Sequence, residues 1–395
     1  MSGHLNGCQA KFQEKVPKAA YYHCASHQPN LAISKSSTVP DICCMLSYLK
    51  AVGDFFKYYP KRQLHLETTV SKVNVQRKSL GVTEVSPHKV RLMCETRWVE
   101  RHTILVEFAE MHEPIVNCFE TISRNSSREW NAKSVTKANE LLKAILSDQF
   151  IAAFQTNLYF FVYTKPLSCL LQCSTQDILT AYKEVDVAKR VLKDIRADSS
   201  NEYDKVYVSM CTMAKLHGME ELTVPRTCSG QSLRSNIEVE NPKTYWRCTT
   251  SIPFLDHLIA ELSTRFSQLN QQAIKGLRLL PCNLTTLTDG EVAELYKRFH
   301  QDLPAAEAFE QEVKLQIEKW KLFPTQLPDN ICETLQQAND KLYPNICTLL
   351  KLLLVIPVTT ASVERGNSSL KYIKSELRTT MLQDRLNALI LLFIH

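Results

Sequence analysis

Apolar side chains recur every three or four residues along most of this chain, and that period confines it to helices more firmly than any single motif does. Ile42, Met45, Leu46, Leu49, Val52, Phe56 and Tyr59 make one stripe, which Pro60 ends; Leu105, Phe108, His112, Ile115, Val116, Phe119 and Ile122 make another. Further stripes run through 135–162, 178–195, 254–269 and 305–320. Only nine Gly occur in 395 residues, which disfavours sheets built on many tight turns. The exceptions are an aromatic-rich strand candidate at 19–25, after Pro17, and a weaker one at 31–34. Two such strands do not make a sheet, so the expected fold class is mainly α. Polar, weakly periodic stretches near 60–90 and 225–243 read as linkers. No internal repeat is evident.

Several function classes fall away on simple grounds. The longest apolar run, 386–394, is about half of what a membrane crossing needs, so no membrane partner is expected. The first residues lack both a basic and an apolar signal region, and the 14 Cys are scattered, without framework spacing; a reducing compartment is expected. No pair of Cys-x-x-Cys motifs, and no Cys-x-x-Cys with trailing His residues, closes a zinc site, so neither metal nor cofactor is expected. Charge is uneven: residues 1–101 hold 15 Lys/Arg against 7 Asp/Glu, within a net charge of +6 for the chain. Such an excess can attract a polyanion, though it also serves plain solubility.

Four separated segments carry a more specific signal. They are His23-Cys24-Ala25-Ser26-His27; Cys94-Glu95-Thr96-Arg97-Trp98-Val99-Glu100-Arg101-His102; the stretch 245–266 with Ile252-Pro253-Phe254-Leu255-Asp256; and 354–395, which contains Pro357-Val358-Thr359-Thr360-Ala361-Ser362-Val363-Glu364-Arg365. In this order the chain resembles the hAT transposase superfamily, in particular domesticated animal relatives such as the zinc finger MYM-type proteins. The resemblance implies a ribonuclease H-like core split by a long all-helical insertion. On that pattern residues 1–40 are a partial core (helix plus strand), 41–345 the insertion and 346–395 the C-terminal dimerisation region.

In that family three carboxylates hold two divalent metals, one activating the nucleophile and one holding the leaving oxygen of a phosphodiester. The third acid maps onto Glu364, while the first two belong to strands upstream of the segment resembling 1–13. The resemblance therefore implies an N-terminally truncated, catalytically inactive chain in which Glu364 is vestigial. As an acid in the first turn of a helix, Glu364 is also favoured by the helix dipole. The rival expectation is a fragment of an active DNA transposase whose first two acids lie upstream; a third is a degenerate gene fragment.

Cys24 and His27 match the family's Cys-x-x-His pair, and two ligands without a third or fourth point to a structural role. Arg97 and Trp98 match its Arg-Trp signature, where an indole can stack on a base and a guanidinium can grip phosphate. With Arg101 they are the candidates for weak, non-specific DNA contact; equally, Trp98 can cover the start of the next helix while the arginines stay solvated. Leu370, Ile373, Leu377, Leu386, Leu389, Ile390 and Phe393 offer more apolar surface than two short terminal helices can hide, and something must cover them. The partner expected from the resemblance is a second copy or a related hAT-derived chain, and the expected compartment is the nucleus, otherwise the cytoplasm.

Overall fold

The computed structural model describes residues 7–16, 39–86, 89–91, 98–126, 128–171, 178–226, 237, 239, 241–284, 287–322, 327–328, 330–355, 370, 373–374 and 380–394. It is mainly helical, with no strand among the described residues. Both strand candidates, 19–25 and 31–34, lie outside those residues, as does most of the linker expected at 225–243. The chain divides into two compact units, one made of 29–169 and 186–263, the other of 1–28, 170–185 and 264–395.

The first unit begins with α2, Pro40–Lys57, and α3, Pro60–Ser79; ahead of them α1, Cys8–Lys15, belongs to the second unit. The segment from Pro60, expected as a linker, is a 20-residue helix. Two things hid it. Its buried positions, Arg62, Leu66, Val70 and Val73, form a narrow stripe in an otherwise polar sequence. Pro60, which stops the preceding stripe, also supplies a pre-set φ at the first helical position, where its missing N–H costs nothing. A Pro can end one helix and start the next.

α4, Trp98–Arg124, α5, Ala132–Ile145, and α6, Asp148–Leu171, follow. The single apolar pattern seen over 135–162 is thus two helices, broken at Leu146 and Ser147, with Asn131 capping α5 through the Ser134 amide at 2.8 Å. α4 packs on α3 and α5, and α2 on α3 and α5. The shared core is aromatic: Phe55, Phe56 and Phe119 meet at centroid distances of 5.2–5.4 Å, and Phe108 lies 5.3 Å from Phe154. α7, Ile178–Ala197, α8, Ser199–Lys215, the short α9, Pro242–Trp246, one turn of π-helix at Arg247–Ser251 and α10, Ile252–Leu277, complete the unit, whose boundaries fall inside α6, α7 and α10.

One buried acid ties three of these elements together. Asp41, at the start of α2, accepts from Gln149 Nε2 of α6 at 2.6 Å and from Thr250 Oγ1 of the π-turn at 2.7 Å. Neutral donors and the N-terminal end of the helix stabilise the carboxylate, with which no cation pairs among the described residues. Asp41 therefore serves the scaffold.

The second unit adds α11, Pro281–Leu284, α12, Asp289–Phe299, α13, Phe309–Leu322, α14, Ile331–Gln337, α15, Pro344–Leu354, and α16, Gln383–Ile394. A Thr288/Glu291 capping box opens α12. Gly276 of α10 lies so close to α15 that a Cβ there would sit 2.8 Å from Leu353 Cδ1.

In the first unit His112, buried on α4, pairs with the half-buried His217. His112 Nδ1 and His217 Nε2 are 2.7 Å apart, so one ring donates its proton to the other. Burial, then the neighbouring His217, pushes His112 down from 6.5 to about 3. His217 is also pushed down by burial, against Glu113 and Glu120, which oppose the shift. A ring that stays neutral in the folded chain, as His112 does, but takes up a proton once unfolded makes acid destabilising. Below pH 6.5 stability is expected to fall, by about 1.4 kcal/mol per pH unit for His112 alone, until the folded ring itself protonates near 3. Urea denaturation at pH 7 and pH 5 checks this, and His112→Gln should flatten the slope.

Candidate dimerisation surface

The C-terminal region is built on α13, α14 and α15; α15 packs on each of the other two, and Phe309, Val313, Ile331, Ile346, Leu349 and Leu350 are buried. The N-terminus of α15 has no local cap. Pro344 carries no N–H, and the preceding Tyr343 has no side-chain cap bond, so the amides of Asn345 and Ile346 need acceptors from elsewhere. Glu312, one turn into α13, supplies them: its carboxylate takes the Asn345 amide at 3.0 Å, the Ile346 amide at 3.1 Å and Asn345 Nδ2 at 2.7 Å. Burial pushes the Glu312 carboxyl above its ordinary range, and these donors offset part of that rise.

Asn345 is fully buried, and its amide is used on both sides. Oδ1 accepts from the Ala305 amide at 3.0 Å, and Nδ2 also donates to the Ala305 carbonyl at 2.6 Å. The approach to α13, α13 itself and α15 are thereby held in one register. Sequence reasoning missed this pair because 33 residues separate the partners, and Glu312 lies in an ordinary run of charged helix residues.

α16 carries the apolar excess noted in the sequence. Leu386, Leu389, Ile390 and Phe393 share one face at helical spacing. Leu386 is buried at 7% exposure, Leu389 and Ile390 are half-buried and Phe393 is exposed at 57%. Leu391 and Leu392 point around the cylinder from that face and are 60% and 79% exposed, and Leu382 and Val355 are likewise exposed. Of the other candidates, Ile373 is buried and Leu370 half-buried. Leu377, Glu364, Cys24, His27 and Arg97 lie outside the described residues. Trp98 and Arg101 lie in the first turn of α4, their side chains outside the description. Leu391 and Leu392 were not singled out by the periodic pattern, although the unbroken run 389–394 signals that both sides of the helix are apolar. Among the described residues there is no cluster of three or more metal-ligating side chains, and no helix long and apolar enough to cross a membrane.

If the Glu312–Asn345 bonds organise this region, Asn345→Ala should cost about 3 kcal/mol, since it strands the Ala305 amide and one carboxylate oxygen in a dry site. Thermal denaturation checks the loss, and a melting temperature equal to that of the wild type would show that these bonds contribute little.

Residues 312–395 match the hAT family C-terminal dimerisation region, so the match begins at the capping acid and ends beyond α16. The whole chain is 25% identical, over 404 aligned residues, to the 52 kDa repressor of the inhibitor of the protein kinase of Homo sapiens, and 25% identical to the protein of the same name of Mus musculus. All of this chain aligns, against 51% and 52% of the two relatives, so the chain spans about half the length of the curated relatives it matches. With that region at one end and similarity to these relatives along its full length, the chain resembles hAT-derived proteins, as its four sequence segments imply.

Proposed function

We propose that this chain acts by self-association through its C-terminal region, pairing with a second copy or a related hAT-derived chain, and not by catalysis. The observation that carries the proposal is the two-sided apolarity of α16. Leu386 is buried while Leu391 and Leu392 are left in water. Covering apolar surface yields ~25 cal/mol per Å², so a few hundred Å² per subunit offsets a useful part of the association cost. Similarity to a repressor supports a nuclear, regulatory setting, and the ribonuclease H-like descent of residues 1–40 rests on the sequence resemblance. Sedimentation velocity at tens of micromolar should give a dimer for the wild type. Leu391→Asp with Leu392→Asp should give a monomer with unchanged circular dichroism, because neither side chain contributes to the chain's own core. A wild type that stays monomeric there sinks the proposal.

Catalytic inactivity is proposed on the sequence, where Glu364 is the single residue matching one of the family's three catalytic acids. DNA contact is an accessory proposal supported by Arg97, Trp98 and the basic excess of residues 1–101. A labelled duplex with Mg²⁺ should be bound weakly, without sequence preference and with steep salt dependence, and left uncut. Strand cleavage that Glu364→Gln abolishes would restore the enzyme reading.

A further inference from the structure

Apart from the C-terminal region, the first unit has an open cleft of 760 Å³, in the size range of small-ligand sites, where the end of α2 and the start of α3 meet α5. At its base sits Arg62, a cation 8% exposed. The Phe55 and Tyr59 rings hold the guanidinium carbon at 4.0 and 3.8 Å from their centroids. Its Nη1 donates to the Phe55 carbonyl at 3.1 Å and its Nη2 to Ser134 Oγ at 2.8 Å. No carboxylate pairs with it among the described residues. A guanidinium has five N–H donors, so this largely desolvated cation keeps donor capacity and an uncompensated charge.

The rim has a matching composition. Tyr58 is 64% exposed, and among the described residues Lys57 Nζ lies over its ring at 6.0 Å. Lys133 has no ionic partner among the described residues, while Lys137 pairs with Glu140 at 2.9 Å. Asp54 and Glu140 also line the cleft. Cations beside an exposed aromatic face suit a ligand with an anionic group and a flat ring. The two acids select further among such ligands. They would repel a run of carboxylates, yet they can accept hydrogen bonds from ring amino groups and sugar hydroxyls.

We propose that this cleft binds a nucleotide, its ring against Tyr58 and its phosphate toward Lys133 and Arg62. The cleft reads the same chemistry in a free nucleotide and in one unit of a single strand. None of the residues lining the cleft is among those proposed for self-association or for DNA contact.

The test titrates the full chain with AMP, with a 20-nucleotide single-stranded DNA and with a ten-residue polyglutamate peptide, following binding by calorimetry or anisotropy. Tyr58→Ala with Lys133→Glu changes two exposed side chains, so melting temperature and sedimentation should match the wild type. Affinity for a nucleotide should fall about tenfold or more in this variant, on the scale of one lost base stack. A loss seen with AMP identifies a free nucleotide as sufficient, and a loss confined to the oligonucleotide identifies a strand as the source. Absence of binding to both, affinity unchanged in the variant, or polyglutamate bound as tightly as the nucleotides would each overturn the assignment. Arg97→Ala separates this site from the accessory DNA proposal, because it should leave AMP binding intact.

Discussion

Each unit is organised around a buried carboxylate that has neutral hydrogen-bond donors where a cation might be expected. Asp41 gathers α2, α6 and the π-turn through Gln149 and Thr250. Glu312 gathers α13 and α15 through two backbone amides and the Asn345 side chain. A buried charge is tolerated only when its lone pairs are filled, so each acid forces its donors into one arrangement. Apolar stripes bring the helices together, but such stripes slide at little cost. Directional bonds to a fixed acid select one register among several that bury similar area. In the second unit that register fixes how the start of α15 lies on α13.

The helices were legible because their apolar period is strong: the stripes at 42–59 and 105–122 coincide with α2 and α4. α3 was not, since four buried positions among 20 residues give a weak period and one of the four is Arg62. α12 was legible in principle from the Thr288/Glu291 box, a local signal independent of hydrophobicity. The Glu312–Asn345 pairing could not be read from one sequence, because nothing local to either residue requires the other. For the candidate surface, the run 389–394 revealed an apolar excess. Its division between Leu386, facing inward, and Leu392, facing water, depends on packing that the helical period alone does not specify.

Arg62 shows how a structural residue can also prepare a site. Its bond to the Phe55 carbonyl places positive charge at the C-terminal end of α2, where the helix dipole welcomes it, and its bond to Ser134 secures α5. Those contacts account for its burial, and the flanking rings of Phe55 and Tyr59 replace part of its lost hydration. They leave its full positive charge without a carboxylate, at the base of an open cleft. Folding thus holds a cation in place before any ligand arrives, which lowers the ordering cost of binding an anion.

The two proposed surfaces answer to different physics. Around Leu391 and Leu392 the driving term is removal of apolar area from water, which is non-directional and tolerant of partner identity. Pairing between related chains with similar apolar helices is therefore as accessible as pairing between identical ones. At the cleft, exposed Tyr58 supplies a flat contact, but Lys133, Asp54 and Glu140 impose sign and geometry on whatever lies against it. Affinity at the first surface scales with the area covered, and selectivity must come from shape. At the second, the contact area is small and selectivity comes from charge order, so a polycarboxylate of equal size meets two repulsive groups that a nucleotide can use as acceptors.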